Sequence, residues 1–263
     1  MTTTLTDGPR LRPAVSDTTT MIGRSLRHSA RNGEALLMSV LLPVMLLLLF
    51  VYVFGGAIST GAGDYVNYVV PGIILLCTGY GAASTAVEVA QDMSEGVIDR
   101  FRSLPIASSA VLTGHVVASL ARNALATSLV IGVAYLAGFR PDASPLEWLG
   151  VIGMLTLFVL AISWLAVLLG LAARSVEGAN GFTFAVLFLP YLSSAFVPTS
   201  TMPGALRAIA DHQPITPVTE TVRGLLLGTP IGSSALVAVA WCGGLLLVSY
   251  AGASALFRRR TAR

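Results

Sequence analysis

Glu88, Asp92, Glu95 and Asp99 recur at intervals of four, three and four residues within EVAQDMSEGVIDRFRSLP, the charged stretch from Glu88 to Pro105, and on a helix this spacing sets four carboxylates along one face. Ala90, Met93, Val97, Phe101 and Leu104 recur with the same period on a neighbouring face and form an apolar ridge. Pro105 ends such a helix, and Gly96 loosens it midway. The chemistry on offer is recognition, not bond making. A short two-faced helix at the tip of a membrane hairpin suits docking to a soluble protein. A solvated interhelical loop, kept out of lipid by its charges, would use the same residues.

Catalytic chemistry finds little to work with. The chain contains no lysine, so it has no GxxxxGK[ST] phosphate loop and does not itself hydrolyse nucleotide by that route. His28, His115 and His212 are far apart and suggest no metal site. Serines abound, but without a GxSxG elbow. Asp211, His212 and Gln213 invite a catalytic reading, but a polar turn between external helices is the expected one. Cys77 and Cys242 sit inside apolar runs without metal-site spacing, as small buried hydrophobes do.

These features need a membrane scaffold to place them. Of 263 residues, 54% are hydrophobic and 11% charged, with mean hydropathy +0.78, whereas a soluble domain is about a quarter charged. The composition is that of an all-α, polytopic membrane protein. Its formal charge of +3 is small, so the basic character reflects topology signals and not nucleic-acid binding.

Met1 to Asp17 is expected to be a disordered tail, because it lacks the apolar core of a cleavable signal. From about Thr19 to Asn32 a helix is expected, with Met21, Ile22 and Leu26 on one side and Arg24, Arg27 and Arg31 on another. That pattern suits a helix lying in the membrane surface against anionic headgroups, or a plain basic flank to the first span. Six runs approach the roughly 20 residues a crossing needs: Leu36 to Ala57, Val69 to Val89, Val111 to Leu136, Leu149 to Ala172, Gly181 to Val197 and Ala235 to Leu256. In this layout only Arg140, Arg207 and Arg223 of the loop arginines fall on one side. Arg10, Arg12, Arg24, Arg27, Arg31, Arg100, Arg102, Arg174, Arg258, Arg259, Arg260 and Arg263 fall on the other, which puts both termini and the Glu88 to Pro105 segment in the cytoplasm.

Three details within this layout carry expectations. Thr78, Ala82, Ala86 and Ala90 repeat small residues every fourth position of the second span, so another helix can pack closely there. The external segment from Pro198 to Pro230 is broken by Pro203, Pro214 and Pro217 and is too apolar for a free loop, so it is expected to dip back into the membrane as one or two half-helices. Within it, Glu220 and Arg223 lie one turn apart and should pair or face an aqueous vestibule. Arg122 is the one arginine the layout leaves inside a span. It can snorkel to the inner headgroups or pair with Glu88, the acid near the inner end of the adjoining arm.

At this point the residues resemble a known family. MSEGVIDRFRSLPI, LLPVMLLLLFVYVFGGAI and FVPTSTMPGALRAIADHQPITPVTETVRGLLLG are similar, in the same order, to segments of type 2 ABC exporter permeases of the daunorubicin/doxorubicin-resistance branch. The resemblance spans about Arg24 to Phe257. It leaves the expected tail over 1–17 outside and implies a six-span permease domain over 18–257 with an external re-entrant hairpin, ahead of a basic C-terminus over 258–263.

The same resemblance implies roles. Glu95, Val97, Ile98, Asp99, Arg100, Phe101, Arg102 and Leu104 would belong to the coupling helix seated in an ATP-binding subunit. Arg24, Arg27 and Arg31 would lie on the interfacial connecting helix, and Pro214, Pro217, Glu220 and Arg223 in the external hairpin. Two ATPase subunits and a second permease, identical or related, would complete the transporter. This chain would bind no cofactor, and ATP and Mg would sit on the partner subunit. A path between the permeases, along the second and fifth spans, would be lined by Tyr80, Ser84, Thr85, Asn180, Thr183, Ser193 and Ser194. These would suit an amphipathic drug, polyketide, glycolipid or lipid, although such residues also serve ordinary helix packing. A secondary transporter and a membrane-embedded transferase or protease stand as other classes. The first lacks a convincing repeat or a mid-span acid, and the second has only Asp211 and His212 to offer.

Overall fold

The computed structural model describes residues 33–58, 64–94, 108–173 and 175–261, and among these every regular element is helical. Helix α1 runs Gly33–Leu48 and continues into a π-helical turn, Leu49–Phe54. Helix α2 is Tyr65–Ser94, α3 Ser108–Leu136, and α4 Pro145–Ala172. Helix α5, Val176–Phe188, tightens into a 3-10 turn at Leu189–Leu192. Two short helices follow, α6 (Gly204–His212) and α7 (Ile215–Leu227), before α8, Ser234–Thr261.

Among the described residues, four helices are long and apolar enough to cross a membrane: Tyr65–Ser94, Leu112–Leu136, Pro145–Ala172 and Ser234–Arg259. They coincide with the second, third, fourth and sixth expected spans. The first and fifth fall on shorter apolar helices, Ser39–Phe54 and Val176–Leu192. The fifth is short for a local reason. Ser175 caps its start by accepting from the Gly178 N–H, and Pro190, which has no N–H to continue the ladder, sits in the 3-10 turn that ends it. At 1.5 Å per residue, 17 residues rise about 25 Å, against a hydrocarbon thickness of about 30 Å. The expected extension to Val197 fails because Ser193 to Phe196 leave the helix as turns.

Helix α2 is the centre of the bundle, in contact with α1, α3, α4, α5 and α7. Its small-residue stripe explains why so many helices can reach it. Thr78, Ala82, Ala86 and Ala90 are all buried. On the facing side, a Cβ added to Gly170 of α4 would stand 2.5 Å from the Ala86 carbonyl oxygen and 3.0 Å from Val89 Cβ. Nearer the start of α2, a Cβ on Gly72 would stand 2.5 Å from that of Ala195, so the turn after α5 rests on the α2 backbone. Both free cysteines are buried in this core.

The connection from α3 to α4 is pinned on three sides. The Arg140 N–H donates to Asn67 Oδ1 on α2, and the Asp142 N–H donates to the Leu226 carbonyl on α7. Ser144 then caps α4 in a reciprocal box with Glu147, followed by Pro145 at the first helical position.

Candidate functional site

Two polar clusters sit on α2, one in its last turns and one in its first. The inner cluster joins α2 to α3. Glu88 and Asp92 are one turn apart on α2, while His115 and Arg122 are two turns apart on α3, so the antiparallel pairing sets two bases against two acids. Arg122 Nη1 donates to Glu88 Oε1 at 2.7 Å. Its Nη2 donates to Thr85 Oγ1 at 3.0 Å and to the Gly81 carbonyl at 3.2 Å. His115 Nε2 lies 3.1 Å from Asp92 Oδ2, and its Nδ1 lies 3.8 Å from Glu88 Oε2.

Arg122 is therefore held by Glu88 and the α2 backbone, not extended to headgroups, and its side chain is only 2% exposed. The pairing reading holds and the snorkelling one does not. Asn123, beside it, packs on Gly81 so closely that any side chain at 81 would collide with the amide. Asn123 Nδ2 donates to the Ser119 carbonyl, and Ser119 meets Ser163 of α4 through their hydroxyls at 2.9 Å. A polar seam thus crosses α2, α3 and α4 at one level.

The outer cluster is built on Arg223 of α7, itself buried. Its Nη1 donates to Glu220 Oε1 at 2.8 Å, as the one-turn spacing led one to expect. Its Nε and Nη2 both donate to the Tyr68 carbonyl, and Nη2 also donates to the Ser194 carbonyl at 2.8 Å. The guanidinium carbon stands 3.7 Å from the Tyr68 ring centroid, a cation–π contact. Pro71 has no N–H to donate to the Asn67 carbonyl, so the α2 ladder is interrupted one residue before the Tyr68 carbonyl that accepts from α7. Tyr68 and Tyr65 donate their hydroxyls to the Ser194 and Phe196 carbonyls. The broken backbone after α5 is thereby satisfied by side chains from α2 and α7.

The expected path residues are spread over α2, α5 and the turns after α5. Thr85 belongs to the inner cluster, and Ser193 and Ser194 are buried at the outer one. Tyr80 and Ser84 are half-buried on α2, Asn180 is exposed on α5, and the Thr183 side chain lies outside the described residues. Pro214 precedes α7 and Pro217 is buried in its first turn. The coupling residues Glu95, Val97, Ile98, Asp99, Arg100, Phe101, Arg102 and Leu104, together with Arg24, Arg27 and Arg31, also lie outside the described residues.

Asp211, His212 and Gln213 are each engaged locally. Asp211 accepts from Arg207, His212 Nδ1 meets the Ala208 carbonyl, and Gln213 Nε2 donates to the Leu189 and Leu192 carbonyls. The first two contacts lie within α6, and the third ties the turn after α6 to the 3-10 turn that ends α5. The Asp92–His115 contact and the anchoring role of Tyr68 escaped the sequence reading. The first had a signal: a base two turns before Arg122 on one arm of a hairpin, facing an acid one turn beyond Glu88 on the other.

Known proteins carry the same pattern over nearly the whole chain. Residues 16–227 match the ABC-2 type transporter family. The chain is 32% identical over 256 residues to a daunorubicin resistance ABC transporter permease protein, DrrB1, of Streptomyces coeruleorubidus, covering 97% of this chain and 88% of that one. It is 23% identical over 235 residues to a probable doxorubicin resistance ABC transporter permease protein, DrrC, of Mycobacterium tuberculosis, covering 89% of this chain and 85% of that one. A membrane-embedded helical bundle organised round one small-residue helix, with this extent of likeness, places the chain in the ABC-2 type transporter family of membrane permeases.

Proposed function

We propose that this chain is the permease subunit of an ATP-driven exporter that moves an amphipathic, drug-like molecule, with hydrolysis performed by separate ATPase subunits. The observation that carries the proposal is the inner cluster. It clasps α2 to α3 at the end of the hairpin from which residues 95–107 emerge, so a push on that connection would reach both long helices together. Glu95 to Leu104 is the coupling helix in this reading, with the ridge of Val97, Ile98 and Phe101 toward the ATPase and Arg24, Arg27 and Arg31 on a surface helix beside it.

The finer architecture belongs to the same proposal. Helices α1 and α5 complete six spans as short crossings, and α6 with α7 forms the outer re-entrant hairpin, held by Arg223. Both termini are cytoplasmic, two permeases enclose the path, and each transporter carries two ATPase subunits. The relatives' names speak of daunorubicin and doxorubicin, and a planar amphipathic amine of that kind is the first substrate to try. The test is co-reconstitution with an ATPase subunit encoded beside this chain, measuring ATP hydrolysis and vesicle uptake of daunorubicin. Uptake that needs both proteins and ATP is the expected result; ATP-independent uptake driven by a proton gradient would replace the proposal with a secondary transporter.

A further inference from the structure

Helices α3 and α4 meet at the Ser119–Ser163 hydroxyl pair and enclose a cleft of about 260 Å³ on its outer-cluster side, toward the loop that joins them. Ala124, Ser128 and Ile131 of α3 line one wall, and Trp148, Ile152 and Thr156 of α4 line the other. Ala124 and Ser128, one turn apart, are too small to fill the space between the helices. Around the mouth the same helices expose Leu125, Leu129 and Leu149 at 50%, 46% and 64%, the surface expected against hydrocarbon. Apart from the Asn123 amide at the seam end and the hydroxyls of Thr127, Ser128 and Thr156, the walls are apolar, so water there would find few partners.

We propose that this cleft holds one acyl chain of a membrane phospholipid, whose headgroup phosphate is met by Arg140. Three features favour that occupant over a second protein chain. The cleft opens among residues that face lipid. Its upper end, at Ile131 and Trp148, lies within about 8 Å of the helix ends by axial rise, which is the depth at which an acyl chain leaves the headgroup region. Above it stands Arg140, exposed in the α3–α4 connection. Its Nη1 donates to the Tyr135 and Phe139 carbonyls, which orients the guanidinium and leaves Nε and Nη2 without a hydrogen-bond partner among the described residues. A lipid phosphate supplies the complementary charge. The bound lipid would act as a wedge that sets the spacing of α3 and α4, and so the tension on the seam at Ser119 and Ser163.

The test uses the full chain with Trp164→Phe and Trp241→Phe, so that Trp148 alone reports, in bilayers containing phosphatidylglycerol brominated on its acyl chains. Trp148 should be quenched at a lower mole fraction of brominated lipid than a Trp241-only control, and saturably. Ala124→Phe, or Ser128→Phe should the first variant fail to fold, should abolish that preference by filling the cleft. Arg140→Gln should equalise brominated phosphatidylglycerol and phosphatidylcholine. Native mass spectrometry of the chain in mild detergent should show one persistent phospholipid that the filled variants lose. Equal quenching of Trp148 and Trp241, a persistent lipid unaffected by filling the cleft, or a crosslink from Ala124→Cys to a second copy would each overturn the proposal.

Discussion

Arg122 on α3 donates to the carboxylate of Glu88 on α2 at 2.7 Å, an ion pair between helices whose arginine is almost wholly enclosed. Replacing one partner leaves the other charge buried and uncompensated, at a cost of about 3–5 kcal/mol, whereas replacing both costs far less. Arg122→Leu is therefore expected to lower thermal stability and recovery of the assembled permease, and adding Glu88→Gln should restore much of the loss. A double variant as impaired as the two singles combined would show that the pair is not coupled.

The neighbouring small residue should be equally intolerant. Gly81 has no room for a side chain against Asn123, and Gly170 has none against the Ala86 carbonyl. Gly81→Val and Gly170→Leu should each separate α2 from its neighbour and cost about 1–3 kcal/mol by overpacking. Gly153 meets nothing within 4 Å of an added Cβ, so Gly153→Leu is the control and should be near neutral in a melting assay.

At the outer end, Val218 is fully buried on α7 while Leu206 on α6 is 42% exposed. Single cysteines at these positions should differ sharply toward a membrane-impermeant thiol reagent on intact cells. Position 206 should label, and position 218 should label only after Arg223→Leu loosens α7 from Tyr68 and Ser194. Full labelling of position 218 in the parent chain would mean that α7 is a plain surface element.

For the segment from Glu95 to Leu104 the expectation, resting on the proposed function, is about coupling, not folding. Phe101→Ala should cost about 2 kcal/mol or more of association with the ATPase subunit while membrane insertion is unchanged. Reversing the charges at Glu95 and Asp99 should add a weakening that depends on salt. Unaltered complex recovery and substrate-stimulated hydrolysis in Phe101→Ala would remove this contact from the coupling scheme.

Where the membrane imposes a strict physical demand, the sequence was readable. Thr78, Ala82, Ala86 and Ala90 announced a close helix contact because only small side chains permit one. Arg122 announced that its charge must be relieved, because an unpaired cation inside a span is expensive, but pattern alone left pairing with Glu88 and snorkelling both open. What escaped notice depends on the chain returning to itself over long distances. Arg223 and Tyr68 are 155 positions apart, and nothing local in either segment points to the other. The end of α5 was misplaced for a different reason. The apolar run continues unbroken through Pro190, so composition alone carries the helix to Val197, whereas the lost backbone bond stops it at Phe188.

The two clusters also fix a length. From Tyr68 to Glu88 is twenty residues of helix, about 30 Å at the usual rise, which equals the thickness of a bilayer's hydrocarbon layer. Helix α2 thus carries its own ruler, with a polar mark toward each end of the span and apolar or small residues predominating between. In a bilayer several ångströms thicker, one mark must sink into hydrocarbon or the helix must straighten toward the normal. Turnover of the assembled transporter should accordingly pass through a maximum as the acyl chains of the host lipid are lengthened.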